Sequence, residues 1–212
     1  MKIAILGSGL MGSKLGTIFA RAGHEVTFSY SHDAKKLEKL ARDAGGKSKA
    51  GTPREAVENA DAVLLAVNWW NLDDVLKQAG SLAGKAVVTC SMPLNEDNSG
   101  LVIANTSSGA EALQKKLPKA RVVQAFNTVP SEVLFSVYEA KRKASRPSLL
   151  YCGDDERAKE VAAELIRDVG FDPVDAGALR MARYIEPFVM LIAELAYNGK
   201  EGPELAYRIE RF

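Results

Sequence analysis

The sequence is short of the residues that carry most thiol, metal and hydrolytic chemistry. Its 212 residues include only 2 Cys, 2 His and 2 Trp. Cys90 and Cys152 stand far apart in no CxxC spacing, which excludes a disulfide framework and a thiolate zinc site and leaves two reduced thiols. Charge of one sign is also missing. Lys and Arg total 28 against 27 Asp and Glu, so no summed field draws the chain to nucleic acid or anionic lipid. The longest nearly uncharged apolar run, Phe188 to Ala193, falls far below the roughly 18 residues of a membrane span. No export leader is expected, since none is visible ahead of the first strand-like run. A soluble, cytoplasmic protein with no membrane or nucleic-acid partner is expected. Ser107 lacks the first glycine of a G-x-S-x-G elbow, because residue 105 is Asn, and residues 95–100 lack calcium-loop spacing. Asp154 and Asp155 read as a helix N-cap. No metal site and no hydrolase are indicated.

What is present is ordinary globular composition, with 47% hydrophobic and 26% charged residues. Short apolar runs alternate with amphipathic segments: Lys2 to Leu6, Leu10 to Ala22, Val26 to Tyr30, Ala34 to Ala44, Ala62 to Val67. This βαβαβ rhythm predicts an α/β fold, a Rossmann-type doubly wound, mostly parallel sheet with helices on both faces. Further strands are expected at Ala86 to Cys90, Arg121 to Phe126, Ser148 to Cys152 and Pro173 to Asp175, with helices at Ser108 to Leu117 and Asp154 to Val169. From residue 178 the texture changes. Leu179, Ala182, Ile185, Val189, Ile192 and Ala196 recur at helical spacing with no strand after them, and Met181, Phe188, Leu191 and Leu195 add apolar residues on other sides. A helix buried nearly all round is expected, interrupted by Pro187. The division is a dinucleotide-binding domain over residues 1–175 and a small helical segment over 176–212, which completes a substrate cleft and a subunit interface.

Directly after the first strand comes Gly7-Ser8-Gly9-Leu10-Met11-Gly12, a GxGxxG that opens a helix. Strand-turn-helix is the context that makes this pattern specific. Gly7 permits the tight turn, Gly9 lets the backbone approach a pyrophosphate, and Gly12 lets helix and sheet pack closely. The unpaired N–H groups of the helix start then face the phosphates. At the end of the second strand, Phe28-Ser29-Tyr30-Ser31-His32 has no carboxylate for a ribose 2′-hydroxyl. Ser31, His32, Lys35 and Lys36 instead offer donors and positive charge, which favours NADP over NAD. Asp33 is the competing ribose ligand if the strand runs longer, and the lysines are otherwise a solvated helix face.

The usual proton donors are missing. His24 precedes the second strand at the bottom of the sheet, and His32 lies at the adenine end. None of the 6 Tyr has a lysine four residues later, and the C-terminal helix has no lysine before Lys200. Acid-assisted carbonyl reduction thus loses its common acids. A flavin-like ring fits as acceptor, because it spreads charge over the ring and exchanges protons with solvent. Catalysis then comes from proximity, and no catalytic side chain is assigned.

Several local motifs carry a family resemblance: the glycine turn, Gly23-His24-Glu25-Val26, Ala66-Val67-Asn68-Trp69, Ala125-Phe126-Asn127-Thr128-Val129-Pro130, Cys152-Gly153-Asp154-Asp155, Asp175-Ala176-Gly177-Ala178-Leu179 and Ala182-Arg183-Tyr184-Ile185-Glu186. In this order they resemble the NADPH-dependent reductases of the 8-hydroxy-5-deazaflavin coenzyme, coenzyme F420. The resemblance implies NADP(H) along the glycine loop, coenzyme F420 as co-substrate, and a homodimer through the C-terminal helix. By it, Ser8, Gly9, Leu10 and Met11 line the pyrophosphate, and Ser31, His32 and Lys36 face the 2′-phosphate. Val67, Asn68, Ser91, Met92 and Pro93 border ribose and nicotinamide, while Asn127, Thr128 and Val129 border the ring cleft.

Trp69 covers a ring or packs in the core, and Arg183 faces the substrate or pairs with Glu186. Two departures stand out: His32 where the family often has Arg, and Asn68-Trp69 where many members have Pro-Trp. The wider family resembles the reductase domain of ferric-reducing membrane proteins. Imines, carbonyls, quinones and ferric chelates are therefore the alternative acceptors, and an NADP-sensing regulatory protein is the alternative outside enzymes.

Overall fold

A computed structural model of the chain describes residues 1–141 and 145–212. The first strand, β1 (Lys2–Leu6), is buried from Ile3 onward and leads into α1 (Leu10–Arg21). Then follow β2 (Glu25–Ser29), α2 (Ala34–Ala44), β3 (Lys49–Ala50), α3 (Pro53–Glu58), β4 (Ala62–Leu65), α4 (Leu72–Ala79) and β5 (Ala86–Thr89). The second half contributes α5 (Gly109–Lys116), β6 (Arg121–Gln124), α6 (Val133–Ala140), β7 (Ser148–Gly153), α7 (Glu156–Val169), β8 (Asp172–Asp175) and α8 (Ala182–Ala193). Every residue of β4 and β5 is buried, as strands covered on both faces must be.

The strands form one 8-stranded sheet in the order β3-β2-β1-β4-β5-β6-β7-β8. All pairs are parallel except β6 with β7, where Val123 lies opposite Gly153 in antiparallel register. Strand order reverses at β1, with β2 on one side and β4 on the other. That reversal opens a crevice at the carboxyl ends of the strands, the usual place for a ligand in such sheets. Residues of alternate parity feed two cores. Ile3 and Ile5 pack with α1, α2, α6 and α7. Ala4 and Leu6 pack with α3, α4, α5 and α8. The expected Rossmann-type fold is what forms. Strands β3 and helices α3, α4 and α6 were not foreseen, although Thr52 and Glu55 form a reciprocal capping box at the start of α3 with Pro53 at its first position.

The C-terminal segment departs from the expected burial. Only one side of α8 is buried, through Ala182, Ile185, Glu186 and Ile192, whereas Tyr184, Leu191 and, just beyond the helix, Leu195 are exposed. The last helical turn widens to a π turn over Glu194–Asn198. The remaining tail doubles back along the sheet: the carbonyl of Tyr207 accepts from the Ser148 N–H at 2.8 Å, and its ring meets Phe188 edge-on at 5.3 Å. No described helix is long and apolar enough to cross a membrane.

One carboxylate fixes α8 in place. Glu186 has no exposed surface and accepts from the Gly109 N–H at 2.8 Å, the Ala110 N–H at 3.1 Å and Gln124 Nε2 at 2.7 Å. It thus closes the start of α5 and the end of β6 with a group from α8. Burial pushes its carboxyl up to about 7, against the pull of those three donors. Between its ordinary 4.5 and about 7 the folded chain keeps a proton that the unfolded chain has lost, so stability falls as pH rises across that window and levels off above it. The slope from this group is at most about 1.4 kcal/mol per pH unit. Thermal melts of wild type and Glu186→Gln between pH 4.5 and 8 check this: the variant's melting temperature declines less on going from pH 5 to pH 7.5.

Candidate active site

The site begins at the turn between β1 and α1. Gly7 has φ +123°, a left-handed conformation, and a Cβ on it would lie 2.2 Å from the Ala66 carbonyl oxygen. A Cβ on Gly12 would lie 1.9 Å from the Gly7 carbonyl oxygen. Both positions therefore require glycine for packing alone. Gly9 differs: its φ of −74° is open to any residue, and no heavy atom comes within 4 Å of an added Cβ. The space before Gly9 is open, and α1 starts there with neither a side-chain cap nor an acidic residue in its first turn. Free N–H groups and the positive end of the helix dipole face this space, as a pyrophosphate requires. The residues present fit a dinucleotide.

Three adjoining cavities run along the carboxyl edge of the sheet, and Asn68 borders all of them. The first, about 400 Å³, is lined by Gly7, Ser8, Gly9, Ser31, His32 and Lys36, with Val67 and the start of α4 opposite. Ser8 is tied to the end of β2 by its hydroxyl, which donates to the Tyr30 carbonyl at 3.3 Å. Asp33 is the N-cap of α2, its carboxylate accepting from the Lys35 N–H at 2.9 Å and the Lys36 N–H at 3.4 Å. Both bonds fall on Oδ1, and Asp33 itself borders the first cavity.

The second cavity, about 520 Å³, lies between Leu10, Met11, Cys90, Met92, Phe126, Asn127 and Val129 on one side and α8 on the other. The third, about 420 Å³, joins them past Val67, Trp69 and Ser91. Ser91 braces that junction, its hydroxyl accepting from the Val67 N–H at 3.2 Å. No Asp, Glu, Lys, Arg or His side chain lines the second cavity among the described residues. Burial pushes the Cys90 thiol up to about 12, so it is neither an acid nor a nucleophile near neutrality. Asn127 is buried, donates from Nδ2 to the Met92 sulfur at 3.2 Å, and leaves Oδ1 without a partner. An unmatched buried acceptor beside a cleft is costly unless a ligand N–H satisfies it. The preceding Phe126 is held at φ +66°, a strained conformation that a functional turn can retain.

Three expected site residues sit elsewhere. Arg183 neither faces a cavity nor pairs with Glu186; it grips Glu111 with two bonds of 2.8 and 2.7 Å. That pair holds the Glu111 carboxyl below the usual range. Thr128 is fully buried and accepts from the Tyr207 hydroxyl at 2.8 Å, so it anchors the tail. Pro93 packs against Gly109, whose added Cβ would meet its ring at 2.8 Å. Conversely, Tyr30, Asp74 and Gln78 line the first cavity, and Ser131, Met190 and Tyr197 line the second. Tyr197 donates to Glu132 at 3.1 Å, and burial with that carboxylate raises its phenol to about 12. The only advance signal for Met190 was the helical spacing of the C-terminal segment.

Residues 2–93 match the family of NADP oxidoreductases described as coenzyme F420-dependent. A proposed F420-dependent NADP-reductase from Arthrobacter sp. FB24 superposes with a TM-score of 0.86 at 26% identity, covering 100% of both chains. The metalloreductase STEAP3 of Rattus norvegicus is 30% identical over 185 residues, which is 87% of this chain and 36% of that protein. The chain thus spans about a third of the length of the curated relatives it matches. A reductive aminase from Aspergillus terreus, solved with NADPH and ethyl-5-oxohexanoate, shares the fold at a TM-score of 0.66 and 19% identity, over 90% of this chain and 60% of its own.

The two outer glycines and the middle one separate packing from binding. Gly9→Ala leaves the melting temperature within about 2 °C of wild type and weakens dinucleotide binding at least about tenfold, a loss near 1.4 kcal/mol. Gly12→Ala lowers the melting temperature sharply, because backbone must move. Calorimetry and NADPH fluorescence titration of both variants check this.

Proposed function

We propose that the chain is an NADPH-dependent reductase that passes hydride from NADP(H) to a neutral, planar acceptor ring of the deazaflavin or flavin class. The observation that carries this is the second cavity, an apolar cleft without a charged side chain next to a turn shaped for a pyrophosphate. NADP(H), when bound, supplies the hydride. The chain's own part is binding and positioning. The glycine turn and the start of α1 hold the pyrophosphate, and Ser31, His32 and Lys36 take the 2′-phosphate. Met92, Phe126 and Val129 exclude water from one side of the cleft, and Val189, Met190 and Ile192 exclude it from the other. Asn127 borders the ring between Met92 and Val129. Holding two reactants in register supplies several kcal/mol of barrier reduction without a positioned acid. The likeness to the Arthrobacter protein supports coenzyme F420 as that acceptor.

A second reading has a specific observation of its own. The Tyr197 phenol borders the cleft and keeps its proton at neutral pH, and turning that proton from Glu132 into the cleft would let it protonate a carbonyl or imine. Anaerobic assays with NADPH separate the readings. Bleaching of oxidised coenzyme F420 that survives Tyr197→Phe supports ring-to-ring transfer. Turnover of an imine or carbonyl that Tyr197→Phe abolishes supports the second, and reduction of ferric chelates or quinones alone, or binding without turnover, sinks both. Lys36→Ala raises KM for NADPH about tenfold and leaves KM for NADH unchanged, because only the 2′-phosphate loses a partner.

The same reading makes the exposed stripe of Tyr184, Leu191 and Leu195 the contact of a homodimer, since such a stripe is apolar surface that a partner removes from water. Sedimentation at micromolar concentration gives a dimer for wild type and a monomer for Leu191→Glu; a monomeric wild type refutes the contact.

A further inference from the structure

The first cavity has a wall that phosphate and ribose recognition do not explain. Opposite Ser31 and Lys36 stands α4, which presents Asp74 and Gln78 across from the Tyr30 ring. Tyr30 follows β2 directly and takes φ +62°, a conformation that costs a bulky residue about 1 kcal/mol or more. That strain turns its side chain across the sheet edge to α4, where the hydroxyl donates to Asp74 Oδ2 at 2.8 Å. Gln78 Nε2 donates to the same oxygen at 2.8 Å. Asp74 is thus held by two neighbours through Oδ2, while Oδ1 accepts no hydrogen bond among the described residues. The result is a carboxylate with a fixed orientation and one free acceptor, on a cavity wall otherwise formed by an aromatic ring and an amide.

We propose that Asp74 reads the 6-amino group of the adenine ring and makes the chain selective for adenine over hypoxanthine dinucleotides. This rests on the NADP reading above. If Ser31, His32 and Lys36 hold the 2′-phosphate, the base on the adjacent carbon of that ribose lies within the same cavity, and the α4 wall offers a polar surface to its edge. Adenine presents an N–H donor at position 6, which a carboxylate oxygen accepts; hypoxanthine presents a carbonyl oxygen there, which the carboxylate repels. Loss of a hydrogen bond that leaves a charged acceptor facing another acceptor is the strongest form of discrimination such a site has.

Fluorescence titration of the full chain with NADPH, with its 6-deamino analogue (reduced nicotinamide hypoxanthine dinucleotide phosphate) and with NADH tests this without any acceptor. Wild type binds NADPH at least about tenfold more tightly than the deamino analogue. Asp74→Ala brings that ratio close to one while the NADPH-to-NADH ratio stays at its wild-type value. Tyr30→Phe, which keeps the ring and removes the bond that fixes Asp74, gives an intermediate ratio. Equal binding of the two purine analogues by wild type overturns the proposal. So does an Asp74→Ala chain that loses affinity for all three nucleotides alike, since that marks a structural role. If wild type binds none of them, the NADP reading itself fails and takes this one with it, an outcome distinct from equal binding.

Discussion

The contact on which the site depends is the closeness of α1 to the end of β1. With less than 2 Å between a Cβ on Gly12 and the Gly7 carbonyl oxygen, the helix cannot carry a side chain there and still pack on the strand. Only this approach lets the first turn of α1 begin at the crevice where strand order reverses. A helix start that sits farther back leaves its N–H groups under its own side chains, and the dipole end no longer faces the phosphates. The packing of Leu15, Ile18 and Phe19 in the core below holds the aim. Stability and anion binding are therefore set by the same backbone contact, and the two glycines that serve packing flank the one that serves the ligand.

The acceptor side is built differently. Its far wall, α8, arrives from the end of the chain and is located by a single buried carboxylate, Glu186, rather than by a strand-helix unit. That carboxylate caps α5 from a distance, a task usually done by a residue of the helix itself; Ser108 caps the same helix from within. The neighbouring Arg183 pairs with Glu111 on that helix. Both polar residues of α8 are thereby drawn toward α5, which leaves its other side apolar. Neither Arg183 nor Glu186 lines the second cavity, where Ser131 and Tyr197 instead bond to Lys14 and Glu132 behind the wall.

Most of the glycine turn and its surroundings was legible in the sequence, because each of its parts is local. The glycine spacing, the strand before it and the helix after it lie within residues 2–21, and the absence of a carboxylate at the end of β2 is a local fact as well. Asp33 needed the structure: β2 ends four residues earlier, at Ser29, and the bonds from the Lys35 and Lys36 N–H groups make Asp33 a helix cap. The α4 wall was invisible because α4 itself was not foreseen, its apolar residues Leu72, Val75 and Ala79 spanning only two turns. Arg183 and Thr128 were misplaced for another reason. Their partners, Glu111 and Tyr207, are 72 and 79 positions away, and no spacing rule reaches across that separation. Burial of α8 was overestimated because apolar residues on all sides of a helix do not reveal which side another surface covers.

These two modes of construction give the two halves of the site different freedom to change. The donor side is coupled to the fold: altering Gly7 or Gly12 disturbs the packing of the sheet, so the dinucleotide turn persists wherever the fold does. The acceptor side is held by a few long-range bonds to one helix, and its lining of methionine, valine and isoleucine can be exchanged with little change in volume. Replacing one cleft residue by an acid would add carbonyl or imine chemistry without touching the dinucleotide turn. The family match covers residues 2–93, the part of the chain that carries the glycine turn. On the proposed reading, specificity for the hydride donor is a property of the sheet's edge, and specificity for its acceptor is a property of what α8 brings to face it.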